Sequence, residues 1–182
     1  DAADWLDHWD LADGYADGTQ YRGGRSITRA AFLRMVWRLA GEPAGPNPPS
    51  HGFTDVPAWV AEAVAWAAED PPGDEPPLMT GLSPTRFGPY EPITRAQVVR
   101  LIFRFAGRLG PVEVPDPPTH TLTDVPPWVA DAVAWAAADP DGDGPQEPTI
   151  TGYANDTFRP NNDITRAAVA RLLYRLAERL DL

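Results

Sequence analysis

Residues 93–106 read ITRAQVVRLIFRFA and predict a capped amphipathic helix. Thr94 is the candidate N-cap, and Ile93 before it with Val98 after it forms the pattern of a hydrophobic staple. Gln97 stands where a capping box places its second residue. Apolar side chains then recur at the i, i+3, i+4, i+7 spacing of a helix with one buried face.

This helix start occurs three times, because residues 27–30 and 164–167 also read ITRA. Thr28 and Thr165 are therefore candidate N-caps as well. Internal repetition at a fixed spacing indicates that the chain is built from tandem structural units. The upstream segments that also recur are TDVPAWVA (54–61) as TDVPPWVA (123–130), and AVAWAA at 63–68 and 132–137.

The repeats divide the chain into three copies, with copy 1 at 1–41, copy 2 at 42–110 and copy 3 at 111–182. Each full copy predicts a short helix, a long loop rich in Pro and Gly, and a long helix. Copy 1 lacks a counterpart of the TDVP segment, so we expect its start to be incomplete. The predicted fold is all-α, with three helix–loop–helix repeats in a pseudo-threefold arrangement around a central three-helix bundle.

Composition excludes several classes of function. The 182 residues carry a net charge of −11, which argues against nucleic-acid binding through a general basic field. Cysteine is absent, which excludes disulfide scaffolds, zinc–cysteine sites and thiol catalysis. No apolar run reaches the roughly 18 residues of a membrane span, so we expect no membrane insertion. All fifteen basic residues are arginines, each able to form a bidentate pair with a carboxylate.

The repeated motifs resemble the S-layer homology family. The resemblance rests on Phe53-Thr54-Asp55-Val56, on Gly152-Tyr153-Ala154-Asn155-Asp156-Thr157-Phe158-Arg159-Pro160 and on the three ITRA motifs. It covers nearly the whole chain. The chain departs from the family in the start of copy 1, in enlarged inserts at 69–77 and 139–148, and in lacking an acid after Thr-Arg-Ala.

The resemblance implies a non-catalytic, extracellular module at the cell surface or cell wall. Its partner would be secondary cell-wall polysaccharide or another peptidoglycan-linked glycan, often pyruvylated, bound in grooves between copies. The groove residues carried over by motif are Arg29, Arg95, Arg166, Asp55, Asp124, Trp5, Trp66, Trp135, Gly14, Gly81 and Gly152.

Each of these residue types also has a structural interpretation. An arginine at the first helical position suits a carboxylate ligand, or it pairs with an acid of the protein. Asp55 and Asp124 are candidate caps of the short helices, with a proline in the first turn. Tryptophan serves as a sugar platform or as core, and glycine allows either close ligand approach or a turn.

Two further hypotheses concern metal binding and assembly. Asp139, Asp141 and Asp143 alternate like the start of a calcium loop, but Ile150 at the twelfth position cannot bind the ion. We expect no other cofactor, and we expect no enzyme because catalytic motifs are missing from the sequence. The alternative function is a self-assembling subunit of an S-layer, sheath or filament, in which the chain forms a homo-oligomer or polymer.

Overall fold

The computed structural model describes residues 2–8, 21–47, 51–69, 76–118, 120–139 and 146–182. Within these ranges the chain is all-α, as predicted, with isolated β-bridges and no longer strand. The 3₁₀ turns at Ala58–Val60 and Pro127–Val129 each lead directly into an α-helix. The α-helices of this part of the chain are α1 (Ala2–His8), α2 (Arg29–Leu39), α3 (Ala61–Ala67), α4 (Arg95–Leu109), α5 (Ala130–Ala137) and α6 (Arg166–Leu180).

Each long helix, α2, α4 or α6, begins at the motif arginine because the threonine before it caps the helix. The side chains of Thr28, Thr94 and Thr165 each accept a hydrogen bond from the backbone N–H three residues further on. In α4 the side chain of Gln97 also accepts a bond from the backbone N–H of Thr94. The three predicted caps and the capping box are therefore confirmed.

The short helices begin without the aspartate caps predicted for them. Pro57 and Pro126 occupy the N-cap positions of the two 3₁₀ turns, and neither position has a side-chain cap bond. The carboxylates of Asp55 and Asp124 instead bind backbone N–H groups 32 to 35 residues further along the chain. The assignment of both aspartates as helix caps was wrong, because each carboxylate accepts two backbone N–H bonds from a distant loop instead.

The isoleucines of the three ITRA motifs join the copies through a closed ring of backbone hydrogen bonds. The N–H of Ile27 donates to the carbonyl of Ile164 at 3.0 Å. That of Ile164 donates to Ile93, and that of Ile93 to Ile27, both at 3.1 Å. All three side chains are buried, so the ring is shielded from water. These bonds follow a threefold pattern, while the arrangement of α2, α4 and α6 about one axis stays a prediction.

The closest helix packing runs between copies. Helix α3 packs on α2, α5 packs on α4, and α1 packs on α6, so each short helix covers a long helix of a different copy. The apolar faces of α3 and α5 consist largely of alanine, which allows close approach of two helices; Ala63 and Ala132 are both buried. The predicted order of short helix, loop and long helix is present, but the loop carries the two helices onto different neighbours.

None of the helices in the described ranges combines the length and the apolar character that crossing a membrane requires.

Candidate ligand-binding grooves

The motif arginines of copies 1 and 2 reach into the copy that follows them. The Nε of Arg29 donates to the carbonyl of Phe87 at 3.0 Å, and Nη2 donates to that of Thr80 at 2.7 Å. Arg95 repeats the geometry in copy 3, at 2.8 Å to Phe158 and 3.0 Å to Thr151. Each guanidinium group thereby joins two loops of the next copy to the start of its own helix.

These two arginines are buried, with exposed fractions of 3% for Arg29 and 8% for Arg95. Burial lowers the pKa of both guanidinium groups from the usual value, although arginine remains charged in proteins. The ring of Phe87 lies 5.0 Å from Cζ of Arg29, where a cation–π contact offsets part of the lost hydration. In both residues Nη1 makes no hydrogen bond to the described part of the chain.

Arg166 makes the corresponding contact to copy 1. Its Nε donates to the carbonyl of Tyr21 at 3.0 Å, and its Cζ lies 4.7 Å from the ring of the same tyrosine. The hydroxyl of Tyr21 donates to the carbonyl of Arg166 at 2.7 Å, which closes this junction from both sides. The predicted groove residue Gly14 lies outside the described residues.

Asp55 and Asp124 bind the loops whose carbonyls accept hydrogen bonds from Arg29 and Arg95. Asp55 accepts hydrogen bonds from the N–H groups of Phe87 at 2.7 Å and Gly88 at 2.9 Å. Asp124 accepts from the N–H groups of Phe158 and Arg159 in the same way. Desolvation raises the pKa of each carboxyl, but the backbone donors outweigh it and hold the pKa below its usual value.

The first groove lies between Arg29 and one face of α4, with a volume of about 200 Å³. Gln97, Arg100 and Arg104 line it at the spacing of a single helical face. The cation Arg100 is exposed and makes no hydrogen bond or ion pair with the described residues. Residues 78–82 of the same copy as α4, including the predicted Gly81, also line the groove, together with Trp128 of copy 3.

The second groove repeats this arrangement between Arg95 and α6, with a volume of about 80 Å³. Arg171 and Arg175 occupy the positions that Arg100 and Arg104 hold in the first groove. Thr149 also lines it, only 1% exposed, and its hydroxyl has no hydrogen-bond partner among the described residues. A buried hydroxyl without a partner is costly, so a water molecule or another polar group is expected beside it.

The predicted tryptophans lie away from both grooves. Trp66 and Trp135 are buried, at 8% and 3% exposure, and belong to the hydrophobic core. Trp5 is half-buried and meets Tyr174 edge to face, with ring centroids 5.7 Å apart. Gly152 packs so closely on Leu122 that a Cβ would lie 2.1 Å from its side chain. The positions of the three tryptophans and of Gly152 therefore favour a role in packing over a role in binding sugar.

The calcium hypothesis falls largely outside the described residues, which include Asp139 but neither Asp141 nor Asp143. Asp139 is exposed. Among the described residues no group of three or more His, Cys, Asp or Glu side chains could hold a metal ion.

Sequence reasoning missed the arginines on the helix face. Arg34, Arg100 and Arg171 each follow the motif arginine by five positions, and the recurrence of this residue type in all three copies was a signal. Sequence reasoning also did not single out Trp128, which lies seven positions before Trp135. In the structure Trp128 is 50% exposed and Trp135 is core, since a 3₁₀ turn carries the first and an α-helix the second.

Comparison with known proteins identifies related sequences. Residues 150–170 match the family model described as S-layer homology domain. The cellulosome-anchoring protein of Acetivibrio thermocellus is 28% identical over 179 residues, which is 95% of this chain. An amylopullulanase of Thermoanaerobacterium thermosulfurigenes is 27% identical over 176 residues, or 93% of this chain. The chain spans 36% of the first relative's length and 8% of the second's.

Proposed function

Because the chain carries S-layer homology sequence, we propose that it is a non-catalytic anchoring module that binds a cell-wall polysaccharide in the first and second grooves. Its place of action is the cell surface or the cell wall. The Acetivibrio relative is likewise named an anchoring protein. The amylopullulanase is an enzyme by name, but this chain aligns with only 8% of its length.

The observation that carries the proposal is the repeated pair of arginines at two junctions between copies. In each groove a buried motif arginine, Arg29 or Arg95, forms the floor, and an exposed arginine of the next copy, Arg100 or Arg171, stands at the rim. Guanidinium groups bind carboxylates through paired, charge-assisted hydrogen bonds. The proposed ligand is therefore a glycan that carries carboxylates, of which a pyruvylated sugar is one example.

The net charge of −11 makes such local cationic sites necessary. An acidic protein repels an acidic polymer at long range, and physiological salt screens that repulsion beyond roughly 8 Å. Inside a groove the two partners are closer than this distance, so the arginines determine the interaction. Binding should therefore depend on individual arginines and respond little to charges elsewhere on the surface.

The test uses the rim arginines, because replacing buried Arg29 or Arg95 would disturb the junctions themselves. We expect the double variant R100A/R171A to sediment with cell-wall sacculi at least roughly tenfold more weakly than the original chain, since each hydrogen bond to a charged group contributes about 1.5–3 kcal/mol. The matched control is R25A/R86A, which removes the same charge from exposed sites that line neither groove.

Sacculi stripped of their polysaccharide provide the second control, and the original chain should not sediment with them. Thermal unfolding followed by circular dichroism verifies that both double variants are folded. Equal binding by the two double variants would overturn the proposal. Self-assembly stays a prediction, and a monomer whose mass does not change with concentration in light scattering would contradict it for this chain.

A further inference from the structure

A larger cleft adjoins the first groove, and the proposed function does not use it. This α4 cleft has a volume of about 360 Å³ and lies between the second half of α4 and the start of copy 3. Arg100, Arg104 and Trp128 line both the first groove and the cleft, so the two cavities are adjacent. Pockets of roughly 300–1,000 Å³ are the size that small-molecule ligands occupy.

Positive charge is concentrated in the α4 cleft. Arg100, Arg104 and Arg108 follow one another at four-residue intervals along α4 and all line it. Among the described lining residues the acidic side chain is that of Asp131, so the arginines are in excess. Burial, together with the positive charges of Arg100 and Arg108, lowers the pKa of Arg104 to about 10. Three guanidinium groups held this close repel one another, and a bound anion would relieve that repulsion.

A flat aromatic surface accompanies the charge. Trp128 is 50% exposed, and the Cζ of Arg100 lies 5.4 Å from its ring. An exposed indole offers an apolar face on which the C–H face of a sugar ring can lie, and its N–H is a hydrogen-bond donor. The cleft therefore combines a platform for a sugar ring with cations for a carboxylate. This combination is not suited to an apolar peptide or a lipid chain, because either would bury the arginines without a partner.

We propose that the α4 cleft is a second subsite that binds a carboxylate-bearing sugar unit of the same polysaccharide chain whose neighbouring unit occupies the first groove. This inference rests on the proposed function. It adds that the bound stretch of polysaccharide is long enough to occupy both cavities. The polysaccharide lies along α4 from Gln97 to Arg108, rather than entering the first groove by one terminal unit. Affinity then rises when the fragment is long enough to fill both cavities.

Gly107 allows a test inside the cleft, because Gly107 and the adjacent Arg108 line the cleft and do not line the first groove. A Cβ at Gly107 would find its nearest neighbour, a methyl carbon of Val112, at 3.9 Å, so a Cβ can be added without a clash. Gly107→Glu places a carboxylate among the arginines as an internal competitor, and Gly107→Gln is the control of the same shape without the charge.

The probe is polysaccharide released from sacculi with which the original chain sediments, fractionated by length and used before and after reduction of any carboxylates to alcohols. With long fractions we expect Gly107→Glu to bind at least tenfold more weakly than Gly107→Gln in titration calorimetry. With the shortest fractions that bind we expect a smaller difference between the two variants, because Arg100 and Arg104 line both cavities while Gly107 lines the cleft alone. With carboxyl-reduced chains we expect the two variants to bind equally.

The outcomes separate the two proposals. If the original chain binds the polysaccharide but the Glu and Gln variants bind long fractions equally, the second subsite is overturned and the proposed function stands. If carboxyl reduction leaves the binding of the original chain unchanged, the acidic nature of the ligand is overturned. If the original chain binds no fraction, the proposed function fails, and the second subsite fails with it.

Discussion

Asp55 and Asp124 connect the chemistry of single residues to the stability of the whole chain. Each carboxylate accepts two backbone N–H bonds from the loop that supplies a carbonyl to Arg29 or Arg95. Because these donors favour the charged form, the pKa of each carboxyl is lower in the folded chain than in the unfolded chain. The stabilisation is therefore complete above the unfolded pKa of about 3.9 and is lost as the pH falls through the lower folded value.

We expect the double variant D55N/D124N to unfold at a lower temperature than the original chain at pH 7, because an asparagine has one acceptor oxygen where the carboxylate has two. The difference between the two midpoints should shrink as the pH falls below about 4, where the original chain protonates the same groups. Thermal unfolding followed by circular dichroism, in steps of roughly half a pH unit between pH 2 and pH 7, measures this difference between the midpoints. A gap that stays constant down to the lowest pH would contradict the role assigned to these carboxylates.

At the scale of elements, two glycines respond in opposite directions to the same substitution. Gly107 lies inside α4 with room for a side chain, so Gly107→Ala should raise the free energy of unfolding by about 0.5–1 kcal/mol. A Cβ at Gly81 would lie 2.7 and 2.8 Å from the carbonyl oxygens of Ser83 and Arg86, so Gly81→Ala should lower the free energy of unfolding by about 1–3 kcal/mol.

Urea unfolding of the two variants measures both changes against the original chain. The pair controls for the general effect of exchanging glycine for alanine in the unfolded chain, which is common to both. A stabilising effect of Gly81→Ala would show that the turn is less closely packed than the distances to Ser83 and Arg86 indicate.

How far the elements can be predicted from sequence depends on how local their determinants are. The threonine caps were predictable because a cap, its staple and its capping box involve residues within five positions of one another. Asp55 carries the same local signal, an aspartate before a proline and a helix, yet its partner Phe87 is 32 residues away. The sequence likewise identified Arg29 and Arg95, but their burial depends on which carbonyls the next copy brings to them.

At the scale of the whole molecule, the copies interlock instead of stacking as independent units. Each short helix packs on a long helix of another copy, and the ring formed by Ile27, Ile93 and Ile164 closes between all three copies. In a linear array of repeats each unit contacts only its neighbours, and unfolding can proceed from one end. In a closed arrangement the loss of one junction removes packing contacts from every copy. We therefore expect the three copies to unfold in a single cooperative transition.

Arg95→Met tests this cooperativity at the junction of copies 2 and 3. The substitution leaves the carbonyls of Thr151 and Phe158 without their donors, which costs about 1–3 kcal/mol for the buried Phe158 and less for the exposed Thr151. Urea unfolding followed by tryptophan fluorescence and by far-ultraviolet circular dichroism should show the two signals shifting together to lower urea. Arg100→Met is the control on the same helix. It should change stability by less than about 1 kcal/mol, because Arg100 is exposed and makes no hydrogen bond with the described residues, and the substitution removes a cation–π contact with Trp128. Fluorescence and dichroism transitions that separate in the Arg95 variant would mean that the copies unfold one at a time, in which case the ring of isoleucines does not couple them.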